Sequence, residues 1–212
     1  LYIIAVISTI MKHSKKAFRE PYEAREDTLL LIKHMKKYAT GKDYVLEMGT
    51  GSGVVAIEAC KYAKKVLAVD INPKAITLAK KNAKKFGKKS KIMNVDLYDI
   101  DKKFKLNSFD CIMHGGVLEH FPKRKIPTLI RKMLKVSHLI IASFPIMSKR
   151  SAKHYHIKKQ GDRTICCDGL YRNLWTPKEW KEILKDFNII ETKKIKCHPS
   201  IGNFDEMFVV IK

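Results

Sequence analysis

The residues whose types and spacing could do chemistry begin with the run Glu47-Met48-Gly49-Thr50-Gly51-Ser52-Gly53. A short apolar stretch ends near an acid, and three glycines follow at alternate positions. Glycines at a strand-to-helix turn let the backbone take φ > 0 and bring a ligand against the main chain. Open α/β sheets hold nucleoside-like cofactors in this way, in the crevice at the carboxyl ends of their strands. A dinucleotide fingerprint, G-x-G-x-x-G, needs its third glycine at position 54, where this chain has Val54. The G-x-G-x-G spacing therefore weakens a nicotinamide reading. Two further acids close later apolar runs. Asp70 can accept hydrogen bonds from both hydroxyls of a ribose, although an acid there also caps the turn into Asn72-Pro73. Ile71 offers an apolar surface to an adenine ring, and Asp96, with Leu97 beside it, can accept from an exocyclic amine. The expected cofactor set is Glu47, Gly49, Thr50, Gly51, Gly53, Asp70, Ile71, Asp96, Leu97 and Gly115.

These groups need elements to position them, and the chain supplies strands and helices in alternation. Apolar runs predict strands over Tyr44–Met48, Lys65–Val69, Lys91–Val95, Phe109–Met113, His138–Phe144, Ile189–Ile195 and Met207–Ile211. Helical spacing predicts helices from about Val54 to Ala63, from Pro73 to Gly87, from Lys123 to Lys135 and from Pro177 to Phe187. Asn72 caps the second of these with Pro73 at its first position, and Thr176-Pro177-Lys178-Glu179 reads as a capping box. An earlier helix, with Leu30, Leu31, Met35 and Tyr38 on its apolar face, opens at Asp27 or Thr28 and ends at Thr40-Gly41. Glu26, Asp27 and Thr28 can be caps alone or part of a lid over the cofactor. The alternation predicts an α/β fold, a Rossmann-like doubly wound and mainly parallel sheet with right-handed crossovers.

A length of 212 residues suits one such domain, taken here as residues 21–212. Residues 1–20 read as an N-terminal extension outside the core; the apolar run Leu1–Met11 is too short to span a bilayer and lacks the charge order of a signal peptide. Net charge is +22, with 43 Lys+Arg against 21 Asp+Glu, which invites a nucleic-acid partner. Lys74, Lys80, Lys81, Lys84 and Lys85, however, share the outer side of one helix, opposite Ile76, Ala79, Ala83 and Phe86. The bland reading of such a stripe is a solvated face. Five cysteines without C-x-x-C spacing fit a reducing, cytoplasmic location better than a disulfide framework. His154-x-His156 with Cys166-Cys167 is not a standard zinc pattern, and no metal is expected.

The segments Val45–Gly53, Val69-Asp70-Ile71-Asn72-Pro73, Val95-Asp96 and Phe109-Asp110-Cys111-Ile112-Met113 resemble, in order and spacing, the motifs of class I S-adenosylmethionine-dependent methyltransferases. The resemblance covers about residues 22–212. It implies a seven-stranded sheet with an antiparallel last strand. It also implies S-adenosylmethionine on the Gly49–Gly53 turn, with Asp70 on the ribose and Asp96 near the adenine. Within that class two signals diverge. Tyr22-Glu23-x-Arg25-Glu26-Asp27-Thr28 is similar to the release-factor glutamine methyltransferases, but those carry Asn-Pro-Pro-Tyr after strand four, where this chain has His114-Gly115-Gly116-Val117-Leu118-Glu119-His120-Phe121. That run and Leu174-Trp175-Thr176-Pro177-Lys178-Glu179-Trp180 resemble small-molecule methyltransferases instead.

Methyl transfer from a sulfonium needs alignment and a dry cavity, and a general base only where the acceptor must lose a proton. His120 is the candidate base and His114 a candidate substrate contact, each set against the ordinary reading of a structural histidine. Residues 145–175 follow strand five and so rise over the mouth as a substrate-side insertion, read as a loop. Arg150 and Tyr155 there are candidate substrate contacts, and the basic and aromatic content suggests a small anionic or planar acceptor. An RNA or protein acceptor on the same fold, and a cofactor-binding module without catalysis, are the alternatives; no membrane partner is expected.

Overall fold

Short central strands buried on both faces, and amphipathic helices between them, build one sheet with helices on both sides. The computed structural model describes residues 26–38, 44–87, 90–157, 164–167, 170–197 and 204–212. The N-terminal extension, the Tyr22–Arg25 part of the glutamine-methyltransferase-like segment, Thr40-Gly41, and Lys158, Lys159 and Arg163 lie outside the described residues. The strands are β1 (Tyr44–Met48), β2 (Lys65–Asp70), β3 (Lys91–Asn94), β4 (Cys111–Gly115), β5 (Ile140–Ile146), β6 (Thr164–Cys167), β7 (Leu170–Asn173), β8 (Ile189–Lys196) and β9 (Asp205–Ile211). The α-helices are α1 (Glu26–Tyr38), α2 (Val54–Ala59), α3 (Pro73–Lys85), α4 (Ile100–Lys103), α5 (Ile126–Val136), α6 (Lys149–His154) and α7 (Pro177–Ile183).

The seven-stranded sheet runs β3-β2-β1-β4-β5-β9-β8. Its first five strands are parallel, and β9 is antiparallel to both β5 and β8. The expected parallel sheet with an antiparallel last strand is therefore the observed one. Order reverses between β1 and β4, so the crevice of the sheet opens at the carboxyl end of β1, where the glycine turn sits. Neighbouring residues of β1 point to opposite faces, as strand geometry requires. Leu46 and Met48 join Ile112, Ile140 and Phe144 beneath α5 and α7, and Val45 joins Met113, Ile141 and Phe208 beneath α1, α2 and α3. On α3, Ile76, Ala79 and Ala83 are buried while the five lysines face solvent; Phe86, expected with the apolar side, is half exposed as the C-cap.

Two sequence readings are corrected. Strand four starts at Cys111 rather than Phe109 and continues through His114 and Gly115, because His114 pairs with Ala142 and Gly115 with Ser143. Within residues 145–175 the described stretches carry regular elements where the sequence reads as a loop. Ser148 caps α6, accepting from the Ser151 main chain, and β6 and β7 pair as a separate antiparallel hairpin.

Candidate active site

The glycine turn is held from below. Gly49, Gly51 and Gly53 all have positive φ (+67°, +53° and +84°), a region costly to residues with a side chain. Gly49 and Gly53 are the crowded ones: a Cβ would stand 2.6 Å from the Val117 Cγ2 at Gly49 and 3.0 Å from the Ala79 Cβ on α3 at Gly53. Gly51 is the open one, with nothing within 4 Å of the corresponding point. A ligand can therefore approach the main chain at Gly51. Glu47 is buried and accepts from the Thr50 hydroxyl and from the Ala56 main-chain N–H (3.1 Å). Burial pushes its carboxyl up to about 8. Glu47 and the Thr50 side chain, both expected on the cofactor, are thus committed to bracing the turn.

Asp70 does what its turn-capping reading required, and more. One carboxylate oxygen accepts from the Asn72 N–H (2.8 Å) and the other from the Gly51 N–H (2.9 Å), which ties the end of β2 to the glycine turn. Each oxygen keeps a further acceptor position for a ribose hydroxyl. Ile71 is 64% exposed beside it, an apolar platform at the crevice. The Asn94 side chain donates to the carbonyls of Asp70 and Ile71 (2.8 Å each) and fixes that platform. Asp96 accepts from the Tyr98 N–H (2.9 Å), and Leu97 turns its side chain into the core, so only its main chain remains for a cofactor. Gly49, Gly51, Asp70, Ile71 and Asp96 are brought together as the sequence implied.

On the acceptor side the strand-four residues are unusual in their polarity. His114 is fully buried, neither ring nitrogen has a hydrogen-bond partner, and burial lowers its pKa to about 3, so the ring is neutral. Gly115 is exposed at the strand end, next to Leu31 of α1 and the Ser143 hydroxyl. A short 3-10 turn over Leu118–His120 follows, and the Asn173 side chain on β7 donates to the carbonyls of Glu119 (2.8 Å) and Phe121 (3.3 Å), docking the hairpin onto it. His120, the expected base, is partly exposed with Nε2 3.8 Å from a Glu119 oxygen. Glu119 itself is fully buried and was passed over in the sequence; its signal was an acid inside an apolar run directly after strand four. Arg150 is turned away from the expected substrate contact: it pairs with Asp205 (2.9 Å) and donates to the Cys197 carbonyl (2.8 Å). Tyr155 meets His154 edge-on (4.6 Å between centroids) and lies tilted against Phe204 (5.7 Å). No group of three metal-ligating side chains occurs among the described residues. A groove of about 560 Å³ bordered by Tyr44, Lys64, Lys65 and Lys91 lies at the amino ends of β1 to β3, on the far edge of the sheet from this site.

Comparison with known proteins agrees with this geometry. A family model described as methyltransferase domain matches residues 45–138, the stretch that carries the glycine turn, Asp70, Asp96 and strand four. A ribosomal protein L11 methyltransferase of Caldicellulosiruptor bescii is 34% identical over 120 residues, 56% of this chain and 37% of that protein. A Methanocaldococcus jannaschii protein described as a protein N5-glutamine methyltransferase is 49% identical over 70 residues, 32% of this chain and 34% of its own length. This chain thus spans little more than a third of these curated relatives. An S-adenosylmethionine-dependent methyltransferase structure from Methanosarcina mazei shares the fold, with a TM-score of 0.68 at 21% identity over 85% of this chain and 95% of that one. Residues 45–138 thus match a methyltransferase domain, and the chain around them shares the fold of an S-adenosylmethionine-dependent methyltransferase structure. Among the described residues no helix is long and apolar enough to cross a membrane.

Proposed function

We propose that this chain transfers a methyl group from S-adenosylmethionine to a small acceptor that enters between the glycine turn and the β6–β7 hairpin. The observation that carries the reading is an open point of approach at Gly51, whose N–H is held by Asp70 at the carboxyl end of β2. When bound, S-adenosylmethionine supplies a methyl group on a positively charged sulfur, whose bond to carbon breaks with the electron pair passing to sulfur. Asp70 would hold the ribose, Ile71 the adenine face and Asp96 the adenine edge. The chain's remaining task is alignment and the exclusion of water, which the fully buried His114 and Leu118 serve at the strand end. The anionic part of the sequence expectation loses its main support, since Arg150 is already paired with Asp205.

A protein acceptor is the second reading, favoured by the L11 and N5-glutamine methyltransferases among the relatives. The test is incubation of the protein with methyl-labelled S-adenosylmethionine and fractionated cell extract. Label in low-molecular-weight products supports the small acceptor, label in protein supports the second reading, and label in RNA contradicts both. Binding without any transfer would mark a module without catalysis.

A further inference from the structure

We propose that Glu119 is the group that receives the methyl acceptor, and that the acceptor is a protonated amine; the inference rests on the methyltransferase reading above and names its substrate chemistry. Glu119 is fully buried, and neither carboxylate oxygen has a hydrogen-bond partner. A buried carboxyl in a purely structural role is normally satisfied, because leaving it without a hydrogen-bond partner forfeits its solvation. Its position is specific. Oε1 lies 3.2 Å from the point where a Cβ on Gly116 would stand, against the main chain just beyond β4. Gly116 lies just past the end of β4 with φ +68°, two residues after His114. His114 is in the same condition: fully buried, with Nδ1 and Nε2 both unpartnered.

The unused atoms are therefore two carboxylate oxygens and the two nitrogens of a neutral imidazole. The Glu119 carboxylate offers acceptors only, and negative charge when ionised. An ammonium group carries three donors, no acceptor and a positive charge, and it matches that set. A carboxylate or phosphate acceptor would meet Glu119 as a like charge, and a hydroxyl would satisfy one acceptor only. The neighbouring cations do not cancel the argument. His120 Nε2 is 3.8 Å away, beyond hydrogen-bond reach, and Arg172 acts on Glu119 only through its charge.

The chemistry balances. Burial raises the Glu119 carboxyl above its usual range, which suits it to take a proton from the bound ammonium. That leaves the amine nitrogen with a free lone pair and Glu119 as a neutral acid. The lone pair forms the new nitrogen–carbon bond as the carbon–sulfur bond breaks toward sulfur, so the product is a methylated ammonium and a neutral thioether. Glu119 then loses its proton to solvent past His120, whose ring is partly exposed. The net release is one proton per methyl group.

The test uses Glu119→Gln, which keeps the size and removes the charge, with two probes: spermidine for a free amine and the peptide acetyl-Gly-Lys-Gly-amide for a protein side chain. In the wild type one probe is N-methylated, and which one separates the two sources. In Glu119→Gln, kcat/KM for that probe falls about 100-fold. Calorimetric binding of the same amine to the S-adenosylhomocysteine-loaded protein is lost, while cofactor affinity stays within twofold. Glu119→Leu removes an unpaired charge, so its Tm holds or rises while amine binding is again lost. N-methylation in neither arm, a Glu119→Gln loss below threefold, or a collapse of Tm in Glu119→Leu overturns the inference. Failure of the wild type to bind the cofactor would instead overturn the reading beneath it.

Discussion

Gly51→Ala places a methyl group where the structure has nothing within 4 Å, on a backbone at φ +53°. The conformation alone costs an L-residue roughly 1–2 kcal/mol. For a domain of this size that is a fall in Tm of roughly 2–8 °C. Gly53→Ala pays the same conformational cost at φ +84° and also meets Ala79, 3.0 Å from its Cβ and 3.2 Å from its Cα. The α3 backbone cannot yield there, which adds roughly 1–3 kcal/mol of overpacking. Gly53→Ala therefore melts lower than Gly51→Ala. The order reverses for cofactor affinity, because only the Gly51 methyl projects into the space of approach. A tenfold or greater loss, about 1.4 kcal/mol, is expected for Gly51→Ala relative to wild type. Thermal melts of both variants and calorimetric titrations with S-adenosylhomocysteine at a temperature where both are folded check the pair. Unchanged affinity in Gly51→Ala, or a melting point as low as that of Gly53→Ala, refutes the assignment of Gly51 to the ligand.

Other expectations concern buried ionisable groups. Burial pushes the Glu47 carboxyl up to about 8 from its ordinary 4.5, so the folded form holds the proton more tightly. Its contribution is fully present below about 4.5 and is lost as pH rises toward 8, with a slope of up to about 1.4 kcal/mol per pH unit. Glu47→Gln should flatten urea-melt stability across that window and be the more stable protein at pH 8.5; an unchanged slope contradicts the assignment. Burial displaces His114 the opposite way, to about 3 from its ordinary 6.5. Its penalty is absent above 6.5 and grows as pH falls below it. His114→Leu removes a buried, unpartnered ring and should hold or raise stability at pH 7, with a larger relative gain at pH 5; a loss of more than about 2 kcal/mol at pH 7 would show a structural partner.

How far the sequence revealed these features depended on whether the signal was local. Strand β1 was read at its observed limits because apolar residues and a glycine turn bracket it within a few positions. Asn72-Pro73 and the Thr176–Glu179 capping box are likewise local, and both form as expected. The extension of β4 through His114 was not legible, because it depends on pairing with Ala142 and Ser143 on a strand far along the chain. The β6–β7 hairpin lacks an alternating apolar pattern, so its lysine-rich surroundings read as a loop. Arg150 looked like a free cation because its partner Asp205 is 55 residues away. Glu119 was hidden for a related reason. Composition shows an acid within an apolar run, but only the packing of the hairpin onto the Leu118–His120 turn shows that it is buried.

The central claim is that the crevice at Gly49–Gly53 and Asp70 holds S-adenosylmethionine. Calorimetric titration of S-adenosylmethionine into the wild type and into Asp70→Ala tests it most directly. The structure requires one site per chain in the wild type and at least a tenfold weaker one in the variant, which loses both the ribose acceptor and the anchor of the Gly51 N–H. No heat of binding in the wild type, or equal affinity in the two proteins, would contradict it.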